Sequence, residues 1–164
     1  MDFSHSVAFT ASDDVIVIHR EHPRPLKMSI FTERGQFIKH ISDHLTDPRS
    51  VFVRADGHMI VCDGGDKTIK VLSPDGTEFS QSFGAPDCDG SPRFIAYHQN
   101  MLFVSYDLAH VVKVFRKEGV FLYDIGSSGA PGEGKLNYPA RLTIDKFNNL
   151  IVCSNVNKIG RAHV

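Results

Sequence analysis

The stretch 48–84 sets the strongest limit on what this chain can fold into, because it alternates short apolar runs with turn signals. The apolar runs cover residues 50–53, 58–62, 68–72 and 77–83. The gaps hold Asp56-Gly57, Gly64-Gly65 and Asp75-Gly76, and such dipeptides favour tight turns because glycine adopts positive φ without a Cβ clash. The stretch therefore predicts a four-stranded antiparallel meander. One such sheet cannot cover both of its faces, so it needs a neighbour.

Copies of this unit supply the neighbours. They begin at Ser4, Pro48, Pro92 and Pro139, a spacing of about 44 to 47 residues that is typical of propeller repeats. The second strand of each copy is the clearest anchor: VIVIH (15–19), MIVCD (59–63), LFVSY (102–106) and LIVCS (150–154). Third strands are predicted at 26–31, 68–72 and 111–115, and fourth strands at 36–41, 78–83 and 121–126.

The repeats predict an all-β fold, a partial β-propeller of about three and a half four-stranded antiparallel blades. The blades are expected at approximately 4–47, 48–91, 92–138 and 139–158, and the fourth copy is expected to stop after its second strand. Residues 159–164, IGRAHV, match one reading frame of a widely used sequencing-adapter oligonucleotide. We expect this hexapeptide to be a non-native tail without a fold of its own.

Composition and cysteine usage indicate the compartment. The net charge is −1, and residues 1–20 lack the basic start and apolar core of a secretory signal. The chain has three cysteines and no C-x-x-C pair. Cys62 and Cys153 occupy the same slot in two copies, which predicts a repeated buried position with reduced thiols; a disulfide or a reactive thiol is the alternative. A cytoplasmic location is expected, with no membrane span.

Copies two to four resemble NHL repeats, the blades of a six-bladed β-propeller. The matching residues include 139–145 (PARLTID), 148–152 (NNLIV), Lys113-Val114-Phe115, and 129–139 (GAPGEGKLNYP). The family pattern ends the second strand with aspartate, which Asp63 supplies, whereas His19, Tyr106 and Ser154 replace it in the other copies.

The spacing most resembles the C-terminal NHL domain of tripartite-motif (TRIM) proteins, whose N-terminal zinc domains act as ubiquitin ligases. The resemblance implies a non-catalytic recognition module for a protein or RNA partner, within the substrate-recognition part of an E3 ubiquitin ligase. No cofactor is expected in this chain, and zinc is expected only in N-terminal domains of a TRIM-like parent. The alternative is a fragment of a secreted NHL-propeller enzyme such as a peptide-amidating lyase.

The candidate binding residues lie on one predicted rim, where the loops between second and third strands meet the connectors between blades. Arg49, Arg93 and Arg141 follow the first proline of three copies, and Arg20, Lys67, His110 and Lys158 lie in the loops. The three repeated arginines either form salt bridges at blade junctions or form a ring that receives an acidic peptide or a phosphate backbone.

The charge of the predicted rim and the motifs of the chain indicate which class of partner to expect. The predicted rim carries about as many acidic as basic residues, whereas a phosphate-tracking surface shows a basic excess. A protein partner is therefore favoured over RNA, and no small-molecule substrate is evident. No nucleophile elbow or acid–base pair is apparent, and His19 and His22 lack further zinc ligands at matching spacing, so neither catalysis nor metal binding is expected.

An incomplete propeller leaves sheet faces without a neighbour. We expect two such faces on this chain, each carrying apolar surface that a closed ring would cover. The chain expressed alone is therefore predicted to be aggregated, molten or oligomeric.

Overall fold

A computed structural model describes residues 4–20, 26–85, 87–130, 132, 134–154 and 158–163, with residues 4, 5 and 158–163 described by their backbone. This part of the chain forms fifteen β-strands. It contains no helix long and apolar enough to cross a membrane.

The strands form four antiparallel sheets in chain order. Sheet 1 contains β1 (Ser4–Phe9), β2 (Val15–Arg20), β3 (Leu26–Phe31) and β4 (Phe37–Ile41). Sheet 2 contains β5 (Pro48–Val53), β6 (Met59–Asp63), β7 (Thr68–Leu72) and β8 (Phe79–Gly84). Sheet 3 contains β9 (Pro92–His98), β10 (Met101–Tyr106), β11 (Val111–Arg116) and β12 (Phe121–Ile125). Sheet 4 contains β13 (Pro139–Ile144), β14 (Asn149–Ser154) and β15 (Lys158–His163).

The Asp-Gly dipeptides close the hairpins of sheet 2. Gly57 and Gly76 have φ of +84° and +72°, the left-handed region that glycine adopts without penalty. The Gly57 amide donates to the Arg54 carbonyl at 2.9 Å, and the Gly76 amide donates to the Ser73 carbonyl at 2.8 Å. The sequence-level turn assignment is therefore confirmed at both positions.

The chain divides into two compact units, Met1–Phe83 and Gly84–Val164. In unit 1, sheet 1 packs against sheet 2 around an apolar core. Its buried members are Ile16, Ile18, Leu26, Met28, Ile30 and Ile41 from sheet 1, and Val51, Met59, Val61 and Leu72 from sheet 2. In unit 2, sheet 3 contributes Ala96, Phe103, Val112 and Val114 to a second core, and sheet 4 contributes Leu150 and Val152.

Successive side chains of a strand point to opposite faces of its sheet. We call these the leading face and the trailing face, and define them by the packing in unit 1. The trailing face of sheet 1 carries Ile16 and Ile18 and packs against the leading face of sheet 2, which carries Val51 and Val61. In unit 2 the trailing face of sheet 3, with Phe103, packs in the same way against the leading face of sheet 4, with Val152.

Among the described residues, the leading face of sheet 1 and the trailing face of sheet 4 carry side chains that this packing leaves accessible. Val7 and Phe9 lie on the leading face of sheet 1 and are 53% and 63% exposed. Val51 occupies the place of Val7 in the next repeat and is 6% exposed. On the trailing face of sheet 4, Thr143 and Cys153 are exposed and Ile151 is half-buried.

The fourth copy corrects two expectations. Residues 158–163 form a third strand antiparallel to β14, so the copy does not stop after its second strand and the hexapeptide is not without structure. Backbone hydrogen bonds depend little on side-chain identity, and the open edge of β14 can pair with any extended segment that follows. The non-native origin of residues 159–164 stays a prediction.

The shared cysteine slot is also buried in only one of its two copies. Cys62 is buried, whereas Cys153 is exposed. Burial raises the pKa of the Cys62 thiol to about 12. Neither these two cysteines nor Cys88 forms a disulfide within the described part of the chain.

Candidate binding rim

The loop after β6 and the connector before β5 meet at one edge of unit 1. The Gly64 amide donates to the Asp47 carbonyl at 2.8 Å. A Cβ at Gly65 would lie 2.3 Å from Thr46 Oγ1, so only glycine permits this close approach. The structure thus joins the two kinds of segment that the sequence assigned to the rim.

Asp63 fixes this junction from inside. Its carboxylate is fully buried and accepts hydrogen bonds from the Thr46 amide (2.8 Å), the Thr46 hydroxyl (2.7 Å) and the Asp47 amide (2.8 Å). The Gly65 amide (3.1 Å) and Lys70 Nζ (2.9 Å) complete its partners. Burial disfavours the charged form, but the bonds from Lys70, Thr46 and Asp47 outweigh burial and hold the pKa of Asp63 below its usual range.

Lys70 is the second buried charge of the junction. Its Nζ also donates to the His44 carbonyl at 2.6 Å and pairs with Asp66 at 2.6 Å. Burial lowers the pKa of Lys70, yet the hydrogen bonds and charges of Asp63 and Asp66 raise it above its ordinary value. The connector and the loop are therefore held by one ionic network.

The equivalent slots of the other sheets hold different polar pairs. In sheet 1, His19 Nε2 lies 2.9 Å from Ser29 Oγ, which lies 2.8 Å from His40 Nδ1. In sheet 3, Lys113 Nζ pairs with Asp124 at 3.0 Å and lies 5.8 Å from the centre of the Tyr106 ring.

In sheet 4, the Ser154 hydroxyl accepts from the Asn137 amide at 3.1 Å and donates to the Asn137 carbonyl. Asn137 precedes Pro139 by two residues, as Thr46 precedes Pro48. Ser154 therefore ties its own connector, as Asp63 does in sheet 2. The residues that replace aspartate keep a polar or cation–aromatic contact at this position in every sheet.

Sequence reasoning missed the third-strand partners Ser29, Lys70 and Lys113. Each is a polar residue within a buried strand, and each lies opposite the middle valine of the second strand: Val17, Val61 and Val104. This shared position in the repeat was the signal in the sequence that could have identified the three partners.

The repeated arginines Arg49 and Arg93 make local ion pairs. Arg49 Nη2 donates to Asp47, and its side chain is 22% exposed. Arg93 reaches Asp107 through both Nε and Nη2 at 2.6 Å. These are the junction salt bridges of the first alternative, and a ring that binds a ligand remains a prediction.

Arg141 has a different environment in unit 2. It is exposed, and its guanidinium lies 4.9 Å from the centre of the Phe94 ring. The Ser105 hydroxyl links the two strands beneath this contact, because it accepts from the Phe94 amide at 3.1 Å and donates to the Ala140 carbonyl at 2.8 Å.

A second aromatic contact lies on the same unit. The His110 and Tyr138 rings meet edge to face with centres 4.5 Å apart, and His110 Nδ1 accepts from the Tyr138 amide at 3.1 Å. Tyr138 has φ of +52° and is 41% exposed. A left-handed backbone at a bulky residue is uncommon and costs about 1 kcal/mol or more, so the fold holds this ring in an unfavourable but accessible place.

We name this set the unit 2 rim patch: Phe94, Leu108, His110, Tyr138 and Arg141. Leu108 adds an apolar side chain that is 55% exposed. The remaining candidate binding residues lie outside this patch. Arg20 ends β2 and Lys67 lies in the loop after β6, both exposed, while Lys158 begins β15 and only its backbone is described.

A cavity of about 240 Å³ lies in unit 1 beside the connector, lined by residues that include Leu26, Ile41, Leu45 and Pro48. This volume is below the range of roughly 300 Å³ and above that is usual for small-molecule pockets. Among the described residues, no three His, Cys, Asp or Glu side chains are grouped so as to hold a metal ion. His22 lies outside the described residues.

The chain matches no family model and no curated protein. Its fold is similar to several solved structures. The WD40 β-propeller domain of Doa1 aligns with a TM-score of 0.75 at 16% identity, over 96% of this chain and 50% of that one. Streptogramin B lyase aligns with a TM-score of 0.67 at 18% identity, over 98% of this chain and 54% of that one.

A computationally designed protein, Ika4, aligns with a TM-score of 0.64 at 15% identity, over 99% of this chain and 91% of that one. The chain thus spans about half the length of the Doa1 domain and of the lyase, and nearly all of the designed chain. Identities this low show the fold alone. The protein is an all-β partial β-propeller, and the predicted fold class is confirmed.

Proposed function

We propose that this chain is a non-catalytic recognition module that binds a protein partner through the unit 2 rim patch. Its place is the substrate-recognition part of a TRIM-type ubiquitin ligase, with NHL-type blades. The observation that carries the proposal is the exposed pairing of Arg141 with Phe94 and of Tyr138 with His110.

The side chains of the patch are of the types that anchor protein interfaces. Tyrosine and arginine are enriched among residues whose truncation weakens a complex most, because they combine apolar area with directional hydrogen bonds. Packing against His110 and Phe94 also restrains Tyr138 and Arg141 before a partner arrives, which lowers the entropy cost of binding.

The charge of the rim supports a protein rather than RNA. Arg49 and Arg93 are paired with Asp47 and Asp107, so their charge is offset where a phosphate backbone would need it. The Arg141 guanidinium lies 4.9 Å from the centre of the Phe94 ring, and a cation on an aromatic face is a feature of protein interfaces.

The test uses the whole chain as bait in a cytosolic extract, with captured proteins quantified by mass spectrometry. The rim variant carries Tyr138→Ala and Arg141→Glu. The control variant carries Phe147→Ala and Lys146→Glu, which alter another exposed cation–aromatic pair, with Nζ 5.0 Å from the ring centre, in the β13–β14 turn.

We expect the rim variant to lose its captured proteins by about 30-fold or more, as hot-spot residues do, while the control retains them. Equal capture by both variants would contradict the proposal. Capture that disappears for the unmodified chain after nuclease treatment would instead favour an RNA partner. Ligase components among the retained proteins would support the TRIM-type assignment.

A further inference from the structure

The uncovered leading face of sheet 1 is a second surface, separate from the rim patch. Val7 lies opposite Val17 and Phe9 lies opposite Val15, so four apolar side chains form one cluster on this face. Val7 and Phe9 are more than half exposed, and Val15 and Val17 are half-buried.

The chain itself shows what covers a face of this kind. The equivalent residues of sheet 2, Val51, Met59 and Val61, are 6%, 0% and 0% exposed because the trailing face of sheet 1 packs on them. In unit 2 the leading face of sheet 4 is likewise packed against the trailing face of sheet 3. In both described cases, therefore, a leading face packs against the trailing face of the preceding copy of the repeat.

An uncovered trailing face of that repeat is present on sheet 4. Its residues Thr143, Ile151 and Cys153 are exposed or half-buried, whereas Ile60 and Cys62, in the slots of Ile151 and Cys153, are fully buried. In the described part of the chain, these two accessible faces are one leading face and one trailing face, which is the combination that packs inside each unit.

We infer that the leading face of sheet 1 binds the trailing face of sheet 4 of a second copy of this chain. The chain spans about half of the Doa1 domain and of streptogramin B lyase, and two copies supply eight sheets, within the range of four to eight blades in most closed propellers. The expected assembly is therefore a dimer in which each copy covers the other. This inference goes beyond the proposed function and depends on different residues.

Cys153 provides a direct test of the contact. Val7 occupies the place of Val51 and Cys153 the place of Ile18, and Val51 and Ile18 belong to one core in unit 1. In a Cys88→Ser background, Val7→Cys or Val17→Cys should form a disulfide with Cys153 of another copy under mild oxidation. Peptide mapping of the covalent dimer identifies the bond.

The control variants define the outcomes. Cys153→Ser should abolish the covalent dimer, and Phe147→Cys, which places a thiol on a 66% exposed side chain in a turn, should not form it. Absence of the bond to Cys153 in both Val7→Cys and Val17→Cys, or equal cross-linking by Phe147→Cys, would overturn the inference.

Mass measured by light scattering gives a second, independent readout. Phe9→Lys places a charge on the leading face without entering the unit 1 core, and it should convert the dimer to a monomer. Phe147→Lys, a change of the same kind at another exposed phenylalanine, should leave the dimer intact. A monomeric unmodified chain, or a Phe9→Lys variant that is still dimeric, would overturn the inference.

Alkylation of the native thiols completes the set. Cys153 should be protected at high protein concentration and react faster by 10-fold or more on dilution below the dissociation constant. Cys62, buried in either state, should not respond to dilution. A Cys153 rate that does not depend on concentration would contradict the dimer.

Discussion

The polar slot at the end of each second strand shows how single residues hold the repeats together. Asp63 ties the β4–β5 connector to the β6–β7 loop through five donors, and Ser154 ties the connector before β13 through the Asn137 backbone. Because these bonds are buried or half-buried, an unmatched change leaves an uncompensated polar group, which costs more than the bond itself contributes.

Asp63→Asn should destabilise the chain by about 3 kcal/mol, because it leaves Lys70 buried without its closest buried counter-charge. Chemical denaturation at pH 7 measures the change. The matched control is Asp66→Asn, which removes the second carboxylate that pairs with Lys70. The Asp66 side chain is 42% exposed, so this change should cost less than about 1 kcal/mol. Equal losses in the two variants would show that burial of Asp63 does not set its contribution.

Stability should also fall at acidic pH through Asp63. The pKa of its carboxyl is below its usual value in the folded state, so the unfolded chain binds the proton first as pH falls. The contribution of Asp63 is therefore complete above about pH 4 and is lost as pH falls through the lower, folded-state pKa. The difference in unfolding free energy between the unmodified chain and Asp63→Asn should shrink over that range; a constant difference would contradict this account.

At the scale of elements, the strands were predictable because turn signals and apolar runs repeat with the same spacing. The run 68–72 coincides with β7, and the run 26–31 coincides with β3. The third strand of sheet 4 was not predicted, because residues 159–164 match an adapter reading frame and were expected to have no fold of their own. Its pairing comes from the open edge of β14, which is a property of the sheet and not of the hexapeptide.

Removal of residues 158–164 tests the contribution of β15. Sheet 4 would keep two strands, and a two-stranded ribbon is only marginally stable in water. We expect amides of β14 that donate toward β15 to exchange with solvent at least 10-fold faster, measured by hydrogen–deuterium exchange. Amides of β10, which lies between β9 and β11 in sheet 3, serve as the internal reference and should change little.

At the scale of the molecule, the repeat predicted the fold class, while the side chains of the rim needed coordinates. Arg49, Arg93 and Arg141 look alike in sequence, yet they meet a carboxylate, another carboxylate and an aromatic ring. Tyr138 carried no signal, because its exposure depends on a left-handed backbone at a connector end. Such differences arise from local loop geometry, which a repeat alignment averages out.

If two copies cover one another, thermal stability should depend on concentration. Dissociation then accompanies unfolding, so a tenfold rise in concentration should raise Tm by about 2 to 4 °C for a chain of this length. Calorimetry over two decades of concentration measures the slope. Phe9→Lys should melt at a temperature that does not change with concentration, and a flat response for the unmodified chain would argue against coupled assembly.

The variety of the second-strand slot has a consequence for evolution and for engineering. Aspartate, histidine, tyrosine and serine each contact a partner within or beside their own sheet. Every repeat therefore has its own stabilising contact, and its sequence can change independently of the neighbouring repeats. A repeat can therefore be transplanted only together with its partner residue: moving Asp63 into another sheet without Lys70 would import half of a stabilising contact. Homogenised arrays built from this chain should be assembled from matched pairs, not from an averaged consensus.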